Sequence, residues 1–158
     1  MLLWERNTKK VMGFLWLLVV VMGGALADEV PVASSTTPVV TVPLAEYGYS
    51  SLLGVTYSPD GTKILTSSMD GKIRLWDKTT GQVIQVFSSY TGMERDIAFS
   101  PDMTMILSGS EDKTAKLWDI HTGALIRRFV GHTEAVWSVS FSPDGTKILT
   151  GSNDTTAK

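Results

Sequence analysis

The sequence predicts an all-β fold built from repeated four-stranded antiparallel sheets. Three similar pentapeptides, each with a central Ser-Pro-Asp, begin at Tyr57, Phe99 and Phe141, so consecutive copies lie 42 residues apart. Leu-Trp-Asp recurs at the same interval and ends at Asp77 and Asp119. An internal period of this length indicates supersecondary units that bury their faces against neighbouring units. Between the motifs, short runs of β-branched and aromatic residues alternate with turn signals, which favours strands over helices.

Each unit is predicted to contain four strands joined by tight turns. The first unit has predicted strands at 53–57, 63–67, 72–76 and 82–87. The second has strands at 95–99, 105–110, 114–118 and 124–130, and the third has strands at 136–141 and 147–152. Ser-Pro-Asp-Gly suits a turn, because proline fixes φ and glycine tolerates positive φ. Four short antiparallel strands per period are typical of a propeller blade, so we expect a partial β-propeller of two complete blades and half of a third.

The segment before the first unit has two interpretations. Residues 40–46 lie one period before a fourth strand, so they are predicted as the outer strand of a blade, where Pro43 is tolerated. The Pro-, Val-, Ser- and Thr-rich composition around them also fits a simple linker. The predicted organisation is a linker at 28–39 and a propeller segment at 40–158, with repeats at about 48–89, 90–131 and 132–158.

Residues 1–27 have the three parts of a secretory signal peptide. Basic residues precede an apolar run at 11–21, and small residues lead to a predicted cleavage site between Ala27 and Asp28. The alternative is an uncleaved membrane anchor, but sixteen residues of helix reach only about 24 Å, short of a bilayer core of about 30 Å. We therefore expect export to the periplasm, cell envelope or medium, with membrane attachment only through an uncleaved N-terminal segment.

The composition excludes several other classes. The chain is 43% hydrophobic and 19% charged, with a formal net charge of −2, and this balance does not suggest nucleic-acid binding. It has no cysteine, so neither disulfides nor thiolate zinc sites are available. No nucleophile elbow, phosphate-binding glycine loop or calcium-loop pattern is present in the sequence. We expect no cofactor, no metal and no catalytic residues.

Residues 52–158 resemble the Trp-Asp (WD) repeat family of β-propellers. The resemblance rests on the Ser-Pro-Asp-Gly turns, the Ser-x-Asp turns, the two Leu-Trp-Asp endings and the dipeptide Gly131-His132. It implies a non-catalytic scaffold for protein–protein contacts. The resemblance also implies that a histidine, a Ser or Thr, an aspartate and a tryptophan form a hydrogen-bonded set inside each blade.

Carried over by position, this set comprises Asp70, Asp112, Asp154, Trp76, Trp118 and His132, with Thr66, Ser108 and Thr150 as the hydroxyl residues. Ser68, Ser110 and Ser152 are the competing hydroxyl choice. The first two blades depart from the pattern, because Gly48 and Tyr90 stand where the histidine should be, and Glu94 stands where Val136 is expected. We therefore expect these blades to be weaker, by about 1–2 kcal/mol for each lost buried hydrogen bond.

The loops on one rim of such a propeller often bind partners in this family. The resemblance places there Tyr90, Arg95, Glu134 and Trp137 from one loop set and Met69, Glu111 and Asn153 from the other. Exposed Trp, Tyr and Arg are common at binding hot spots, although each could also be an ordinary surface residue. His121, Asp77 and Asp119 fall in turns, where they are expected to be exposed or to accept turn amides rather than to form a site.

The sequence stops before a third Leu-Trp-Asp. We expect a fragment of a longer propeller, and the alternative is an arc that closes a ring by self-association of two or three copies. Two further function classes stay open: a propeller attached to a catalytic or sensor domain beyond residue 158, and a membrane-tethered receptor.

Overall fold

The computed structural model describes residues 51–158, which form ten β-strands in three antiparallel sheets. No helix occurs in this range, so the predicted all-β fold is confirmed. The predicted signal peptide with its Ala27/Asp28 cleavage site, the linker at 28–39 and the outer strand at 40–46 lie outside the described residues.

The first two sheets are complete four-stranded blades with strands in sequence order. Blade 1 contains β1 (Leu52–Tyr57), β2 (Lys63–Ser68), β3 (Lys72–Asp77) and β4 (Val83–Ser88). Blade 2 contains β5 (Glu94–Phe99), β6 (Met105–Ser110), β7 (Thr114–Asp119) and β8 (Leu125–Val130). Blade 3 pairs β9 (Val136–Phe141) with β10 (Ile148–Ser152), and a single bridge joins Gly151 to Ala157.

The turn after the first strand of each blade is held by its own side chains. The Ser58 hydroxyl donates to Asp60 Oδ1 at 2.6 Å, and the Gly61 amide donates to the Ser58 carbonyl at 2.8 Å. Gly61 has a φ of 67°, which glycine adopts without a steric cost. Met103 occupies the same position in blade 2 with a φ of 60°. The turn in blade 2 therefore has the same conformation, although a positive φ is unfavourable for methionine.

The core lies between adjacent blades, as expected for units that bury their faces on neighbours. Strand β5 packs against β1 and β2, and β9 packs against β5 and β6. The first interface is rich in large side chains, with the Trp118 ring edge-on to Phe87 at 6.1 Å between centroids. The second is smaller and is centred on Leu107, Ala115, Val136 and Val139. Period-2 alternation along each strand supplies one face to each neighbour.

A polar contact also crosses from blade 2 to blade 3. Strand β5 contains a register shift between Glu94 and Asp96, and Asp96 Oδ2 accepts the Val139 amide at 2.9 Å. The other oxygen, Oδ1, accepts the Ile97 amide at 2.9 Å. The irregularity in one sheet therefore positions a carboxylate that satisfies a backbone donor in the next sheet.

Candidate functional site

The tryptophans of blades 1 and 2 are buried and bonded to the second strand. Trp76 Nε1 donates to Thr66 Oγ1 at 2.9 Å, and Trp118 Nε1 donates to Ser108 Oγ at 3.0 Å. The hydroxyl that faces the indole is thus four residues before the turn aspartate. Ser68, from the competing set, donates to Asp70 instead.

Blade 3 contains the predicted histidine in a partly buried polar cluster. His132 Nδ1 lies 2.8 Å from Asp154 Oδ2, and His132 Nε2 lies 2.8 Å from Thr150 Oγ1. The Thr156 hydroxyl, the Thr133 amide and His132 all bond the Asp154 carboxylate, and they hold its pKa well below the ordinary value. The cluster links the loop before β9 to β10 and to the turn that follows it.

In blades 1 and 2, a cation from the third strand bonds the turn aspartate in place of a histidine. Arg74 Nη2 lies 2.5 Å from Asp70 Oδ2, and Arg74 Nη1 donates to Ser68 Oγ at 2.9 Å. Lys116 is fully buried, and its Nζ lies 2.8 Å from both Asp112 Oδ2 and Glu94 Oε1. Burial alone would raise the pKa of Asp112, but hydrogen bonds from Lys116 and its neighbours lower it to about 2.

The expected loss of a hydrogen bond in blades 1 and 2 is therefore wrong for these aspartates. A guanidinium or an ammonium supplies the donors that an imidazole supplies in blade 3. Blade 3 has Lys158 at the equivalent position, but His132 already bonds its aspartate, and Lys158 Nζ donates to the Gly131 carbonyl. The presence of Glu94 at a position where an apolar residue is expected has the same cause, because its carboxylate accepts a hydrogen bond from the buried ammonium of Lys116.

The predicted rim residues include a contact cluster that joins blades 2 and 3. The Arg95 guanidinium lies over the Trp137 ring, 4.7 Å from its centroid, and it also pairs with the Glu111 carboxylate. Arg95 lies in β5, Glu111 follows β6 and Trp137 lies in β9. Trp137 remains 46% exposed. We call these three residues the rim cluster.

The other predicted rim residues lie outside these contacts. Glu134 pairs with Lys113 at 3.5 Å on the surface, and Met69 and Asn153 are exposed. Tyr90 is 93% exposed and has a φ of 54°, a left-handed conformation that is uncommon for a bulky residue. Its neighbours are fixed, because Ser89 bonds Glu94 and Thr91 bonds Asp112.

Comparison with known families supplies the identification. The family described as "WD domain, G-beta repeat" matches residues 41–77, 81–119 and 123–158, which together are more than half of the chain. The chain belongs to this family. It is also 44% identical, over 39 residues, to "Periodic tryptophan protein 2" of Saccharomyces cerevisiae. That stretch covers 25% of this chain and 4% of the yeast protein. WD repeats are protein-interaction scaffolds and are typically non-catalytic.

The acidic residues at the ends of the WD motifs are turn caps. Asp77 Oδ1 accepts the Thr79 and Thr80 amides at 2.8 Å, and Asp119 Oδ1 accepts the Thr122 amide at 2.8 Å. These bonds lower the pKa of both carboxyl groups. His121 is exposed beside Asp119. Within residues 51–158, no group of three or more His, Cys, Asp or Glu side chains could hold a metal ion, and no helix could cross a membrane.

Proposed function

We propose that this WD-repeat chain is a non-catalytic scaffold that binds partner proteins through the rim cluster. The observation that carries the proposal is the half-exposed Trp137 ring with the Arg95 guanidinium stacked on it. Tryptophan and arginine are the residue types most enriched at binding hot spots. Both come from the inner strands of two different blades, so a partner that contacts them would touch two blades at once.

The rim cluster is also pre-organised for binding. The Glu111 carboxylate and the Trp137 ring already hold the Arg95 side chain. A partner would therefore immobilise fewer free rotamers, which reduces the entropic cost of association. A planar guanidinium that is fixed in this way can still present hydrogen-bond donors to a carboxylate or carbonyl of the partner.

The test is partner capture with matched variants. The purified chain, Trp137→Ala and Ile126→Ala are each immobilised and exposed to an extract of the source cells, and proteins retained by the unmodified chain are identified by mass spectrometry. Ile126 is a suitable control because it is an exposed apolar residue on the outer strand β8. We expect the dissociation constant of the recovered partner to rise at least tenfold for Trp137→Ala only. Equal binding by all three proteins would contradict the assignment of the rim cluster.

We further propose that the protein is exported and loses residues 1–27 as a signal peptide. The support is the order of basic residues, a short apolar run and small residues before Asp28. Mass determination of the protein from its source cells should give a chain that begins at Asp28. A membrane-bound form that retains residues 1–27 would instead favour a tethered receptor.

A further inference from the structure

The turn that follows β10 contains the tripeptide Asn153-Asp154-Thr155. Asn-x-Thr is the acceptor pattern for N-linked glycosylation when x is not proline, and it occurs once in the sequence. The corresponding tripeptides are Met-Asp-Gly in blade 1, at 69–71, and Glu-Asp-Lys in blade 2, at 111–113. The aspartate is therefore shared by the three blades, whereas the asparagine and the threonine occur in blade 3 alone.

The fold accounts for the aspartate but not for its two neighbours. The Asp154 carboxylate lies 2.8 Å from His132 Nδ1, in the polar cluster of blade 3. Within residues 51–158, the side chains of Asn153 and Thr155 make no hydrogen bond, and both residues are exposed. Asn153 contributes its main-chain amide to the turn, and that amide donates to the Ala135 carbonyl at 3.1 Å. Any residue with a backbone N–H could make this bond, so the turn does not require an asparagine.

Thr155 has a backbone conformation that does not suit its side chain. Its φ is 67°, in the left-handed region, where a β-branched residue is an outlier. Gly71 occupies this position in blade 1 with a φ of 75°, which costs glycine nothing. Lys113 occupies it in blade 2, and its ammonium bonds the Thr133 carbonyl at 2.7 Å. The turn therefore gains nothing from a threonine here, and a strained residue without a structural role points to a functional one.

The exposure of position 153 is a property of the turn and not of the place where the sequence stops. Met69, two periods earlier, is 49% exposed, and the side chain of Glu111, one period earlier, is 32% exposed. Both belong to blades with all four strands in place. A group attached to Asn153 would therefore extend into solvent in a complete blade as well.

We propose that Asn153 is N-glycosylated during export, an inference that rests on the proposed export of the chain. The Asn153 side-chain nitrogen attacks the anomeric carbon of an oligosaccharide that is carried on a polyprenyl diphosphate. A carbon–nitrogen bond forms, the bond from that carbon to the diphosphate oxygen breaks, and the lipid diphosphate leaves. The amide gives up one proton to a base of the transferase, and no oxidant or reductant is needed. The Thr155 hydroxyl completes the acceptor pattern.

Intact mass spectrometry of the chain from its source cells tests the proposal. We expect a mass above that of residues 28–158 by one glycan, and treatment with peptide N-glycosidase should remove the glycan and convert Asn153 to aspartate. Three variants produced in the same cells sharpen the test. Asn153→Gln and Thr155→Gly should lose the glycan completely, whereas Thr155→Ser should keep it.

Thr155→Gly is the decisive variant, because glycine suits the positive φ at this position. Its melting temperature should equal or exceed that of the enzymatically deglycosylated chain, so its loss of the glycan cannot be attributed to misfolding. An unglycosylated chain that begins at Asp28, or a glycan that persists in Thr155→Gly, would overturn the proposal and leave the export intact. An unglycosylated chain that retains residues 1–27 would overturn both. Asn153 is not a member of the rim cluster, so Trp137→Ala should carry the same glycan as the unmodified chain.

Discussion

The buried ammonium of Lys116 allows a quantitative prediction. Lys116→Met keeps most of the side-chain volume and removes the charge that Asp112 and Glu94 share at 2.8 Å each. Removing one partner of a buried ion pair costs about 3–5 kcal/mol, because a charge is left unpaired in the interior. The folded variant can escape part of this cost by taking up a proton. At pH 7 that uptake costs about 3.7 kcal/mol for a carboxyl group with an ordinary pKa near 4.3. We therefore expect a loss of about 3–4 kcal/mol at pH 7.

The pH dependence of this loss follows from the same proton. In the folded variant the buried carboxyl holds a proton that the unfolded chain releases, so the stability of the variant falls as pH rises. The difference between Lys116→Met and the unmodified chain should shrink by about 1.4 kcal/mol for each unit between pH 7 and pH 5. Urea unfolding followed by tryptophan fluorescence at several pH values measures it.

Blade 3 provides the matched control for this experiment. Lys158 occupies the equivalent position, but His132 already bonds Asp154 there. Lys158→Met should change the free energy of unfolding by no more than about 0.5 kcal/mol. Lys116→Arg should also be tolerated, since Arg74 bonds the turn aspartate of blade 1. Equal losses for the two methionine variants, or a loss that does not depend on pH, would refute the role of the ammonium.

Three other predictions concern the core, one turn and acid stability. Trp118→Ala should cost about 3–5 kcal/mol and Trp137→Ala less than about 0.5 kcal/mol, and similar losses in thermal melting would contradict the separation of core from rim. Met103→Gly should raise the free energy of unfolding by about 0.5–1 kcal/mol by relieving a positive φ, while Gly61→Ala should lower it, and urea midpoints of both variants decide the sign. The pKa of Asp112 is about 2 in the folded chain, against an ordinary 3.8. Its contribution to stability is therefore complete above about pH 4 and is lost as pH falls towards 2, so the free energy of unfolding should depend less steeply on pH between 4 and 2 in Asp112→Asn than in the unmodified chain, as measured by urea unfolding followed by circular dichroism.

The strands were predictable from the sequence because turn residues mark their ends. Within residues 51–158, every predicted strand begins and ends within one residue of the observed one, for example 63–67 against Lys63–Ser68. Two turns per blade are specified by local hydrogen bonds, such as those of Asp60 and Asp77, so they need no distant contact. The packing of each blade on the next then follows from the repetition of the same unit every 42 residues.

The inward-facing cations Arg74 and Lys116 are not predicted by the sequence pattern. A basic residue in an alternating strand is ordinarily a solvent-facing residue. Successive side chains point to opposite faces, however, so each lies on the same face as the tryptophan two residues later. The position of each cation two residues before a tryptophan, in blades that have Gly48 or Tyr90 instead of a histidine, is the sequence feature that indicates a cation bonded to the turn aspartate. The left-handed conformation of Tyr90 depends on its loop, and the stacking of Arg95 on Trp137 depends on how β5 and β9 of adjacent blades pack, and no local pattern specifies either.

The carboxylate of Asp96 makes the two joints between blades unequal. The joint between blades 1 and 2 is held by large apolar side chains, and the equivalent residue there is Gly54, which has no side chain to offer. The joint between blades 2 and 3 has fewer apolar groups and depends in addition on the hydrogen bond from the Val139 amide. Asp96→Ala should therefore weaken the contact of blade 3 with blade 2 while the contact between blades 1 and 2 is unchanged, and faster hydrogen exchange confined to the β9 amides would record it. In this protein one side chain adds to the joint between blades 2 and 3 a polar contact that the joint between blades 1 and 2 lacks.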